Sequence, residues 1–150
     1  MKNRSILALL ATAVFAIPLA MGCAARCVDC GKVIKVTVLD GVNFDFNKSV
    51  IKPEGKVLLD KDVDLLKRDK TLDISVEGHC DIIGSDDYNQ KLSDKRAQVV
   101  YDYFALKGIE TRRMHTVGWG RKRPLVPNTT AANRAKNRRV EVNVIKARPK

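Results

Sequence analysis

The 150-residue chain is poor in the side chains that most enzymes and nucleic-acid readers depend on. Its only histidines are His79 and His115, and neither stands in a nucleophile motif with a serine or cysteine, so base-activated nucleophilic hydrolysis lacks its parts. Cys80 does follow His79, but neighbouring strand residues point to opposite faces, a poor placement for a thiol and its base. Aromatics are few, with one Trp, three Tyr and four Phe, and no nucleic-acid recognition motif accompanies them. A long apolar run occurs once, at residues 6–21, where Pro18 interrupts it. It is shorter than the ~20 residues a bilayer span needs. No charge lies between residues 5 and 25, which excludes the proton-passing helix of a motor stator subunit.

What the N-terminus does contain is the layout of a secretory signal. Lys2 and Arg4 precede the apolar run, and small residues lead to Gly22-Cys23, so residues 1–22 are expected to be removed. Gly22-Cys23 has the form of a lipobox, which makes Cys23 the expected lipidation site. Ala20 stands where a leucine is usual, and ordinary cleavage after the Ala-x-Gly sequence is the alternative. Ala24, rather than an aspartate, follows the cysteine and favours the outer membrane as destination. The formal charge is +11 at pH 7, and losing the leader removes two cations and no acid. The remaining ~128 residues suit one domain with one core.

Residues 23–32 read as the anchor and a short tether, at most about 36 Å from Cys23 to Val33. Cys27 and Cys30 could close a small disulfide in an oxidising compartment. They lie outside any βαβ frame, against a redox role. A zinc site from Cys27, Cys30, His79 and Cys80 would join two halves far apart in sequence, so no metal or cofactor is expected.

Residues 33–150 read as the domain. Residues 33–39 alternate as a strand, and 42–46 continue extended. Pro53 after Lys52 begins a helix that runs to about Arg68, with Val57, Leu58, Leu59, Val63, Leu65 and Leu66 as its apolar stripe. Leu72, Ile74 and Val76 form a second strand ending at Gly78. The strongest helix spans 85–107, with Ser85 or Asp86 as cap and Gly108 as stop. Strands follow at 114–119 and 139–145, separated by a basic, turn-rich segment at 120–136. The order β-α-β-α-β-β predicts an α/β (α+β) sandwich, a mixed four-stranded sheet carrying two main helices.

The long helix carries a misplaced charge. With Leu92 set at zero, Arg96 falls at about 40° and Asn89 at about 60° on the wheel, inside the stripe of Val99, Val100, Tyr103 and Leu106. A buried-face arginine needs either a structural acid or an anionic ligand. Asp81 ends a buried strand, where ligands of open α/β sheets commonly sit, although an acid there can equally shape the turn. Acid and arginine on one loop–helix unit, together with the basic cluster Asn137-Arg138-Arg139-Val140-Glu141 that opens the last strand, suggest a pocket for a small zwitterion.

Several separated motifs in order resemble one family. Phe44-Asp45-Phe46, Val76-Glu77-Gly78-His79-Cys80-Asp81 with Gly84-Ser85, Tyr88-Asn89, Leu92-Ser93, Arg96-Ala97, Gly118-Trp119-Gly120, Asn133 and Asn137-Arg138-Arg139-Val140-Glu141 are similar to the OmpA-like domain that binds peptidoglycan non-covalently. The resemblance covers residues 42–145 and, with the leader, points to the family's lipoproteins. It implies that Asp81 accepts hydrogen bonds from the ammonium of diaminopimelate in the stem peptide and that Arg96 pairs with its carboxylate. Phe44, Asp45, Asn89, Leu92 and Arg139 would line or support the pocket. It further implies a non-enzymatic outer-membrane lipoprotein facing the periplasm, with peptidoglycan as ligand and a Tol-type protein as a candidate partner. Two positions depart from the family pattern: Cys80 replaces the usual threonine, a weaker donor, and Trp119 replaces a smaller residue. Arg121, Lys122, Arg123, Arg134, Lys136, Arg138, Arg139, Lys146, Arg148 and Lys150 crowd the last 30 residues. That density could neutralise phosphates, but a secreted chain does not meet nucleic acid. The competing reading is a basic periplasmic adaptor for a protein or anionic polymer, without a specific pocket.

Overall fold

The computed structural model describes residues 39–147; the expected leader, Cys23, the tether and the first part of the first strand lie outside them. The order is β1 (Leu39–Asn43), α1 (Pro53–Arg68), β2 (Leu72–Gly78), α2 (Asp86–Leu106), a 3₁₀ turn (Thr111–Arg113), β3 (Met114–Gly118), α3 (Ala131–Asn137) and β4 (Arg139–Ala147). The strands form one mixed sheet in the order β1-β4-β2-β3. β2 runs parallel to β3, with α2 as the crossover, and β4 runs antiparallel to both β1 and β2. The predicted mixed sheet with two main helices is the architecture observed.

Local chemistry explains the boundaries. Pro53 opens α1, and Glu54 in the first turn with Lys67 and Arg68 in the last complements the helix dipole. Ser85 caps α2 by accepting from the Tyr88 N–H, and Gly108 leaves the helix at φ 89°, a conformation glycine adopts without strain. α3 is a correction to the turn-rich reading of 120–136. Thr130 caps it by accepting from the Asn133 N–H, and its seven residues are too few to show a helical period.

The core lies between α1, α2 and one face of the sheet, with Leu59, Leu66, Ile74, Val76, Val100, Phe104 and Val140 fully enclosed. Each large side chain there contributes about 1.5–3 kcal/mol through burial. Val57 and Leu65, counted in the predicted stripe, are exposed instead. The buried face of α2 is also rotated from the predicted one. Asn89, Ser93, Arg96, Ala97, Val100 and Phe104 face inward, while Leu106 is exposed. The reason is a close approach: a Cβ on Gly78 would lie 2.0 Å from the Ser93 carbonyl oxygen, and one on Gly118 2.0 Å from Asp94 Oδ1. Small residues on α2 let the helix rest directly on the backbone of β2 and β3.

Candidate functional site

The end of β2 positions the site. Past Gly78, the His79 N–H donates to the Arg139 carbonyl (2.9 Å) and the Cys80 N–H to the Gly120 carbonyl (2.8 Å). These bonds hold Asp81 at the carboxyl end of the strand, beside the start of α2. Asp81 is buried; its Oδ1 accepts from the Ile83 N–H at 3.0 Å and its Oδ2 from Arg138 Nη1 at 3.0 Å. Arg138 also donates from Nε to the Phe44 carbonyl at 3.2 Å. A carboxylate has about four acceptor positions, so Asp81 retains capacity for a ligand.

Arg96 is 0% exposed and pairs with no carboxylate among the described residues. Its Nε donates to the Lys48 carbonyl (2.9 Å), Nη1 to the His79 carbonyl (3.0 Å) and to Cys80 Sγ (3.3 Å), and Nη2 to the Asp45 carbonyl (3.1 Å). The guanidinium carbon sits 5.3 Å from the centroid of the Phe44 ring. Burial pushes its pKa below the usual arginine value; Cys80 and Asp81 oppose this, and Arg138 adds to it. With five N–H donors and four in use, one Nη2 hydrogen is left over.

Arg96 and Asp81 line one cavity of about 140 Å³, with Asn89 and Leu92 on its α2 side. Two guanidinium groups, Arg96 and Arg138, face one carboxylate there. The rim is partly apolar: Phe46, Ile83 and Tyr88 are all exposed, and the Tyr88 hydroxyl donates to Asn47 Oδ1 across the mouth. Asn89 is held by donating to the Ile83 carbonyl at 3.0 Å. Of the other sequence-chosen residues, Phe44 lies beneath Arg96. Asp45 contributes its carbonyl while its carboxylate pairs with Lys52 at 2.7 Å, which holds that carboxyl below its usual range. Arg139 is on the far face of the sheet, paired with Glu141 at 2.7 Å. Sequence reasoning chose no site role for Phe46, Asn47, Ile83, Tyr88 or Arg138. Arg138 was visible as a member of the Asn137–Glu141 cluster and of the basic run, with no role of its own.

The far face holds its own polar group. Trp119 donates from Nε1 to Glu77 at 2.6 Å, and Arg123 stacks on its ring at 3.4 Å. His79 is buried nearby, with neither ring nitrogen in a well-aligned hydrogen bond. Burial and the Arg139 charge push its pKa down to about 4, against the pull of Glu141, Glu77 and the Arg123 backbone.

Cys80 is bonded on two sides. The thiol donates to the Asn89 carbonyl at 3.4 Å and accepts from Arg96. It is 2% exposed, and burial, opposed by the Arg96 charge, pushes its pKa up to about 11. A protonated, enclosed thiol is a poor nucleophile. With Cys23, Cys27 and Cys30 changed to serine, native protein is therefore expected to resist thiol-labelling reagents that react fully after unfolding. Labelling of the folded protein at the rate of an exposed cysteine would contradict this geometry.

The model of the OmpA family matches residues 43–138, from the last residue of β1 to the site's Arg138. The chain belongs to the OmpA family. Outer membrane protein A of Bordetella avium is 43% identical over 105 residues, which is 70% of this chain and 54% of that protein. The chain thus spans about half the length of that relative. The crystal structure of the peptidoglycan-associated lipoprotein from Burkholderia pseudomallei superposes with a TM-score of 0.67 at 29% identity, over 71% of this chain and 89% of that one. The structure of the cell wall anchor of the T6SS from Pseudomonas aeruginosa superposes at 0.59 with 32% identity, over 69% and 75%.

Proposed function

We propose that this OmpA-family domain holds the diaminopimelate of a peptidoglycan stem peptide and so ties the outer membrane to the wall. The observation that carries the reading is a single small cavity lined by the Asp81 carboxylate and the Arg96 and Arg138 guanidinium groups. A ligand ammonium meets Asp81, and its carboxylate meets the spare donors of the arginines. The peptidoglycan-associated lipoprotein and the cell wall anchor among the structural relatives support it. So does the outer-membrane relative, for a place in the envelope. Cys23 supplies the lipid anchor, the domain faces the periplasm, and a Tol-type protein is a partner compatible with that place. The reading includes no catalytic step and no cofactor.

The test is co-sedimentation of the chain from residue 23, with Cys23→Ser, on diaminopimelate-type sacculi. Pelleting is expected to persist at 0.5 M salt, where surface charges are screened within about 4–5 Å, and to be competed by free meso-diaminopimelate. Pelleting that salt abolishes and diaminopimelate leaves untouched would replace this reading with that of a basic adaptor.

A further inference from the structure

The first cavity, at about 140 Å³, has room for the end of one amino acid. What is attached to that residue must lie outside it. Beside it is a second cavity of about 280 Å³, which shares Asn47, Tyr88 and Leu92 with the first and adds Ser49, Lys91 and Lys95. The Tyr88–Asn47 hydrogen bond stands at the boundary between them. Ser49 and Lys95 are shared in turn with a shallow groove bordered by Val50, Val99 and Leu106. The three hollows follow one side of α2, because residues three and four apart on a helix stack above one another.

Lys91 and Lys95 are four apart, so their ammonium groups lie on the same strip of that side. Like charges at this spacing repel by a few tenths of a kcal/mol. Neither lysine has an ion-pair partner among the described residues, even though Asp87 lies one turn before Lys91. Both are exposed. Two unpaired cations beside the half-buried Leu92, next to a cavity that takes a charged amino acid, form a place for an anion carried on the same molecule.

We infer that Lys91 and Lys95 form a second subsite, which takes a carboxylate on the peptide segment continuing from the residue held in the first cavity. The inference rests on the pocket reading above and extends it from one residue to a length of peptide. The lysines select the segment's charge, while the Leu92 side chain and the Tyr88 ring offer apolar contact to its backbone.

Three probes separate the two cavities by calorimetric titration: free meso-diaminopimelate, the tripeptide alanyl-γ-glutamyl-diaminopimelate, and the same tripeptide with its glutamyl α-carboxylate amidated. The unmodified protein is expected to bind the free-acid tripeptide about tenfold more tightly than the amide, or about 1.4 kcal/mol. Lys91→Met with Lys95→Met should bind both tripeptides alike and free diaminopimelate as before. A double variant that still discriminates, or an unmodified protein that never does, would overturn the second subsite and leave the first standing. If the unmodified protein binds none of the probes, the pocket reading itself falls, and this inference with it.

Discussion

Arg96→Ala is expected to destabilise the fold by about 3–5 kcal/mol, the range seen when a buried charged network is broken. Its guanidinium gathers the carbonyls of Asp45, Lys48 and His79 and the Cys80 sulfur, joining the segment after β1 to the end of β2. Truncation leaves the enclosed His79 carbonyl and the half-enclosed Asp45 and Lys48 carbonyls without their donor, and it removes the charge above the Phe44 ring. Removing a buried cation returns some free energy, but less than the orphaned carbonyls cost. Urea titration followed by circular dichroism measures the loss directly. For a domain of this size it corresponds to a fall in Tm of roughly 15–20 °C. Arg96→Lys keeps the charge but lacks the planar fork, so an intermediate loss is expected. A loss below 1 kcal/mol for the alanine variant would show that the carbonyls find other donors. Arg113 is bound in the same way, by the carbonyls of Leu66, Asp69 and Leu72, yet lines neither cavity of the proposed peptide site. Carbonyl binding is thus a structural device of this fold, and loss of wall binding in Arg96→Ala would not by itself identify a ligand contact.

The elements most legible in the sequence are those with chemical punctuation. Pro53 and Ser85 fix helix starts, Gly108 a helix stop, and the alternation of Leu72, Ile74 and Val76 a strand. Burial on α2 was harder to read because two of its fully enclosed positions, Ser93 and Ala97, are small residues that carry little hydrophobic signal. Leu92 and Leu106 carry more and lie farther out. Asp81 and Arg96 were visible as charges at positions that period and strand length place inside. Arg138 was not, because it sits where α3 passes into β4. As the residue closing α3, with φ −80° and ψ 78°, it turns to Asp81, whereas Arg139 enters the sheet pointing to the other face. One residue of register separates the two fates, and a run of arginines gives no sign of where a strand begins. The aromatic rim was missed for a related reason. Phe46 and Tyr88 are exposed, and exposed aromatics acquire meaning only once the cavity between them is seen.

Asp81→Asn isolates the ligand contact that Arg96 cannot. The asparagine carbonyl can still accept from the Ile83 N–H, and Arg138 still donates to the Phe44 carbonyl, so the turn into α2 persists. Loss of the Arg138 ion pair is expected to cost about 2 kcal/mol of stability, since the pair is only partly enclosed on the arginine side. Binding suffers more. The cavity then presents two guanidinium groups and no carboxylate, so a ligand ammonium meets repulsion where it met a partner. Truncating one side of a desolvated charge pair costs about 2–5 kcal/mol, and affinity for diaminopimelate should fall by roughly 100-fold or more. Pimelate, which keeps both carboxylates and lacks both amines, should bind the variant at least as well as the unmodified protein. That crossing of preferences, read by titration calorimetry on protein shown to be folded, separates recognition of a zwitterion from attraction of any anion. Equal loss for both ligands would mean that Asp81 acts by shaping the pocket through Ile83 and Arg138. Unchanged affinity for diaminopimelate would remove its carboxylate from the site altogether.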